Sequence, residues 1–79
     1  ELFTNVNVYP NPNDGLVNID LGDLKDVTIS VYDLAGKLIY VKTNINSAIF
    51  QFELEAAKGT YVIELVSEGK THQVKLVKR

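Results

Sequence analysis

The segment Tyr9-Pro10-Asn11-Pro12-Asn13-Asp14-Gly15 limits what this chain can fold into more than any other stretch of it. Two prolines each remove a backbone donor and push the residue before them into extended geometry, so no helix can run through it. Asn13-Asp14-Gly15 adds residue types that tolerate positive φ, and an apolar-alternating run comes next. The chain must therefore turn here and then enter a strand.

The same grammar repeats downstream, and seven short strands can be laid along it. Residues 5–9 put Val6 and Val8 on one face. Residues 16–21 alternate Val17, Ile19 and Leu21 with Leu16, Asn18 and Asp20, as expected of a sheet with one wet face. In residues 27–32, Val27, Ile29 and Val31 alternate with Thr28, Ser30 and Tyr32, and the β-branched content favours strand over helix. Asp33-Leu34-Ala35-Gly36-Lys37 reads as a tight connection, with Gly36 at a positive-φ position, into a hairpin partner over residues 38–43. Phe50, Phe52 and Leu54 share a face in a fifth strand, and residues 55–58 form a loop that Gly59 ends. Residues 61–67 and 71–77 make a second hairpin around Glu68-Gly69-Lys70. Seven strands with turn signals between them predict an all-β fold, an immunoglobulin-like antiparallel sandwich, with a small open barrel as the alternative.

Composition excludes several classes of function. Seventy-nine residues, 46% of them apolar, suffice for a single domain near the lower size limit of an unaided core. Without cysteine there is neither a disulfide framework nor thiolate chemistry. Eight basic and ten acidic residues leave a net charge of −2, which lacks the positive field that attracts nucleic acid. No apolar run approaches the ~20 residues of a membrane-spanning helix, and no basic-then-apolar leader is present. The sequence opens at Glu1 in mid-pattern, as expected of a piece of a longer chain or of a processed precursor.

No catalytic constellation emerges. His72 is the only histidine, and its plain reading is a strand residue at the surface or a sheet margin. Asp14, Asp20, Asp23 and Asp26 do not fit the EF-hand spacing; the expectation is solvated turn formers, with a loop calcium site of another geometry as the alternative. Phe50 and Phe52 are expected in the core, whereas Tyr9, Tyr32, Tyr40 and Tyr61 suit either a sheet margin or an interface. Isolated glycines make no phosphate cradle, and no cofactor is expected. Lys70, Lys75, Lys78 and Arg79 make the last ten residues basic, which fits a protected strand edge or a docking surface for an anionic partner.

Four motifs then fall in a recognisable order: Val8-Tyr9-Pro10-Asn11-Pro12 with Gly15 close behind, Val31-Tyr32-Asp33-Leu34-Ala35-Gly36-Lys37, Lys58-Gly59-Thr60-Tyr61-Val62, and Val74-Lys75-Leu76-Val77-Lys78-Arg79. Together they resemble the type A C-terminal sorting domain of proteins exported by the type IX secretion system of Bacteroidota, over nearly the whole chain. The resemblance implies one domain over residues 1–79, placed at the C-terminus of a larger cargo and carrying no chemistry of its own. It implies recognition by the outer-membrane translocation machinery, export through periplasm and outer membrane to the cell surface or beyond, and removal by a sortase-like peptidase. Attachment to anionic lipopolysaccharide would then concern only the released cargo. By position in the motifs, the resemblance nominates Gly59, Tyr61, Lys75, Leu76, Val77, Lys78 and Arg79 for recognition, and Pro10, Asn11, Pro12, Gly15 and Gly36 as motif turn residues. Deleting residues 75–79 is expected to abolish export and to leave a folded, less stable domain. The rival readings are a carbohydrate- or protein-binding module and a passive spacer.

Overall fold

The computed structural model describes residues 3, 4 and 6–79. Every regular element among them is a strand: β1 (Asn7–Tyr9), β2 (Leu16–Asp20), β3 (Val27–Asp33), β4 (Leu38–Ile45), β5 (Ile49–Glu53), β6 (Gly59–Ser67) and β7 (Lys70–Lys78). They form two antiparallel sheets, β1-β2-β5 and β4-β3-β6-β7. Two separate sheets with this order make the immunoglobulin-like sandwich and remove the barrel alternative. Of the first expected strand, Asn5 lies outside the described residues.

Alternation places the core. Val17 and Ile19 of β2, Phe52 of β5, Val27, Ile29 and Val31 of β3, Tyr61, Ile63 and Leu65 of β6 and Leu76 of β7 all point between the sheets and are buried. Leu21, Leu24, Ile45 and Leu54 close the ends of this layer. The outer face of the smaller sheet mixes Asn18, Asp20, Gln51 and Glu53 with exposed Tyr9, Leu16 and Ile49, and there Gln51 donates to Asn18 at 2.7 Å across the β2–β5 pair. Tyr40, Phe52 and Phe50 form a stacked row, with centroids 4.5 and 5.8 Å apart, that fills the gap between β4 and β5.

β4 runs two residues further than its alternation indicates. Lys42 pairs with Ile29 and Ile45 with Val27, so β4 carries an extra residue there, and Asn44 adopts φ 56°. A bulge breaks the period-2 pattern without ending the strand, which is why the sequence reads as a loop from Asn44. Beyond it, buried Ile45 returns to the core. Asp26 and Asn46 exchange two hydrogen bonds, 2.9 and 3.1 Å, and tie the end of β4 to the start of β3.

The β3–β4 connection shows why Asp33 and Gly36 belong together. The Asp33 carboxylate accepts from the amides of Ala35 and Lys37 at 3.0 and 2.9 Å, and Gly36 takes φ 88° to complete the turn. A side chain other than glycine would be strained at that φ.

Candidate functional site

The first and last motifs of the chain, 64 to 66 residues apart, meet along the outer edge of β7. After pairing with β2, the chain leaves β1 and crosses to the other sheet through residues 11–13. The backbone amide of Asn13 donates to the Val77 carbonyl at 2.7 Å, and the Arg79 amide donates to the Asn13 carbonyl at 2.8 Å. These two bonds are a parallel rung around Lys78. Two residues earlier, the Asn11 side chain builds the rung before it: Nδ2 donates to the Lys75 carbonyl at 2.9 Å and Oδ1 accepts from the Val77 amide at 3.1 Å. Pro12 has no amide hydrogen to offer, and the carboxamide, with one donor and one acceptor side, takes the place of a peptide group.

Asn13 is the pivot of the crossing. Only 1% of it is exposed, and its side chain donates to the carbonyls of Pro10 and Leu16 at 3.1 and 2.7 Å while accepting from the Gly15 amide at 2.6 Å. Gly15 sits at φ 130°, where an L side chain is strained, and its carbonyl accepts from the Leu54 amide at 2.7 Å. Both X–Pro peptide bonds, Tyr9–Pro10 and Asn11–Pro12, are cis.

A second junction lies under the same end of the sandwich, at the β5–β6 corner. The Tyr61 hydroxyl donates to the Ala57 carbonyl at 2.5 Å, four residues upstream. A tyrosine near the start of this strand that bonds back to the preceding loop is the tyrosine corner of immunoglobulin-like folds. The Lys78 ammonium reaches the same loop, donating to the carbonyls of Leu54 and Ala56 at 2.8 and 2.5 Å. Three carbonyls of one connection are thus satisfied by two side chains from the third and fourth motifs.

The residues nominated from sequence therefore fall into two groups. Leu76 is fully buried, Tyr61 is buried with its hydroxyl on the corner, Lys78 is half-buried with its ammonium turned inward, and Gly59 opens β6 at φ 152°. Lys75, Val77 and Arg79 are exposed, beside exposed Asn11 and Pro12, which run along the edge of β7. What sequence reasoning missed is Asn13, and the contact between cassette and terminal strand; a buried asparagine leaves no periodic signal, because its partners are backbone groups.

Other candidates are dispersed. His72 is half-buried and stacks on Phe3, centroids 5.2 Å apart. Asp20 accepts from the Gly22 amide at 3.2 Å and Asp26 from Asn46, so these carboxylates serve turns. Among the described residues no three side chains of metal-ligating type lie together. The tyrosines do not share a platform: Tyr61 is in the corner, Tyr40 is in the aromatic row, Tyr32 is half-buried on β3 and Tyr9 is on the surface. Among the described residues no helix is long and apolar enough to cross a membrane.

Comparison with known proteins bears directly on this arrangement. The family model described as "Secretion system C-terminal sorting domain" matches residues 7–79, from β1 through the terminal rung. An endo-acting ulvan lyase of Formosa agariphila is 31% identical over 81 residues, which is 98% of this chain. The chain spans only 16% of that relative's length. The matched span includes the cassette, the tyrosine corner and the strand that joins them, and the chain belongs to the type IX secretion C-terminal sorting domain family, the signals that send exported proteins across the outer membrane to the cell surface or the medium.

Proposed function

We propose that this chain is a non-catalytic sorting signal, read in its folded state by the outer-membrane translocation machinery at the end of a larger cargo and removed afterwards by a sortase-like peptidase. The observation that carries the reading is the family match from residue 7 to residue 79, which includes both ends of the β7 junction. Cargo chemistry, and any attachment of the cargo to anionic lipopolysaccharide, lies outside this domain. Recognition falls on the exposed strip of Lys75, Val77 and Arg79 with Asn11 and Pro12 beside it. Gly59, Tyr61, Leu76 and Lys78 contribute by holding that strip in place.

The test is export of a periplasmic reporter fused to this domain and its preceding linker, in a bacterium that has the system. A Lys75→Glu, Arg79→Glu double variant should keep its thermal transition and lose export by about tenfold or more, a recognition deficit of about 1.4 kcal/mol. Wild-type export by that folded variant would remove the strip from recognition. A wild-type fusion left in the periplasm, while a native cargo reaches the surface, would remove the sorting role itself.

A further inference from the structure

The four-stranded sheet has a second outer strand, and it is built differently from β7. Strand β4 ends the order β4-β3-β6-β7, and no strand pairs with its outer side among the described residues. Leu38 is 48% exposed, Ile39 36% and Val41 49%, and Leu34, in the adjoining turn, is exposed as well. A strand edge with apolar side chains and unpaired peptide groups is a template for another strand, and native proteins blunt such edges with charge, proline, bulges or a covering segment. Residues 11–13 cover β7 in this way. Among the described residues nothing comparable covers β4.

We propose that the outer edge of β4 is a docking site for an extended segment of another protein that carries two or three apolar residues flanked by carboxylates. The charge pattern selects that partner. Lys37 and Lys42 bracket the apolar stretch, both are exposed, and β4 contains no acidic residue. Asp33, the nearest carboxylate in sequence, is held in the turn by the amides of Ala35 and Lys37. An incoming strand therefore meets apolar side chains between two positive ends, and acidic flanks are its complement.

The same pattern disfavours the self-pairing of two copies that would match the apolar residues of β4 best. An antiparallel self-pairing that brings Leu38 opposite Val41 and Ile39 opposite Tyr40 also sets Lys37 opposite Lys42 at both ends. Like charges directly opposite are destabilising in such pairs. The edge is also held firmly for a guest, since Tyr40 stacks on Phe52 with 5° between ring planes. The bulges flanking the regular run of residues 40–42 restrict pairing to a short strand and disfavour extended fibre-like stacking. Main-chain pairing would supply affinity and the apolar and charged side chains selectivity, as in other strand-addition sites.

The proposal is independent of the sorting role, and its test needs no export assay. The 15N-labelled chain is titrated to millimolar concentration with a synthetic peptide, acetyl-Glu-Val-Thr-Ile-Glu-amide, and with the same peptide carrying lysine in place of both glutamates. Amide shifts are expected in residues 37–43, with the glutamate peptide binding about tenfold more tightly at low salt and the margin shrinking as salt rises. Lys37→Glu with Lys42→Glu should reverse the preference, and Val41→Lys should abolish binding with the thermal transition retained. Shifts confined to β5 or β7, no shifts at β4 at millimolar peptide, or an unchanged preference in the charge-reversed variant would each overturn the proposal. So would a dimer in sedimentation equilibrium whose cross-links join β4 to β4.

Discussion

Strands β7 and β4 bound the same sheet, yet one is sealed by its own chain and the other has no partner on its outer side among the described residues. The outer side of β7 receives two parallel rungs from residues 11–13, and Lys78 ties its end to the β5–β6 corner. The outer side of β4 presents leucine, isoleucine and valine between two lysines. The difference teaches that the basic ending of the chain is divided, with Lys78 turned into the fold and Lys75 and Arg79 exposed. A charge that looks free in sequence, Lys78, is engaged by two carbonyls, and the apolar strand that would ordinarily be hidden is the accessible one.

Deleting residues 76–79 is the most severe way to break this contrast. It removes fully buried Leu76, the Lys78 clamp and both rungs that depend on the Val77 and Arg79 backbone. Losing a buried leucine alone costs about 3–5 kcal/mol, which is comparable with the whole stability of a small domain; urea titration followed by circular dichroism should show no cooperative transition. That outcome bears on the expectation that deleting residues 75–79 leaves a folded domain. With Leu76 in the core, such a truncation confounds recognition with folding, and only substitutions of exposed side chains separate them.

A more local break is Asn13→Ala. It strands the Gly15 amide and the carbonyls of Pro10 and Leu16 at a buried position, and a loss of about 2–3 kcal/mol is expected from the urea midpoint. Hydrogen exchange should then rise first at Val77 and Arg79, the amides that residues 11–13 hold. At the small end, Val41→Thr on β4 should change stability by no more than about 0.5 kcal/mol, since the side chain is half exposed and touches no sealed edge. A large loss there would mean that the fold depends on β4 no less than on β7, and the contrast would fail.

Much of this was legible in the sequence, for a physical reason. Period-2 alternation states which residues face inward, and Val17, Ile19, Val27, Ile29, Val31, Ile63 and Leu65 are buried as alternation requires. The turn chemistry of Asp33 and Gly36 is equally local, and so it reads directly. Two things did not read. The bulge at Asn44 inserts a residue and so erases the periodicity that defines the strand. The rungs between Asn11, Asn13 and β7 span more than sixty residues and use a carboxamide as a peptide group, a pairing that no local pattern announces. For the candidate site, the motif residues were visible as motifs, whereas the division into those that face out and those that brace the fold required the register of β7.

Residues 11–13 run parallel to β7, and that direction has a mechanical consequence. A pull between the upstream end of the chain and Arg79 acts along the two segments, so both rungs are loaded in shear and must fail together, whereas an antiparallel seam pulled at its open end parts bond by bond. A load applied between the upstream end of the chain and Arg79 is thus met by both rungs at once.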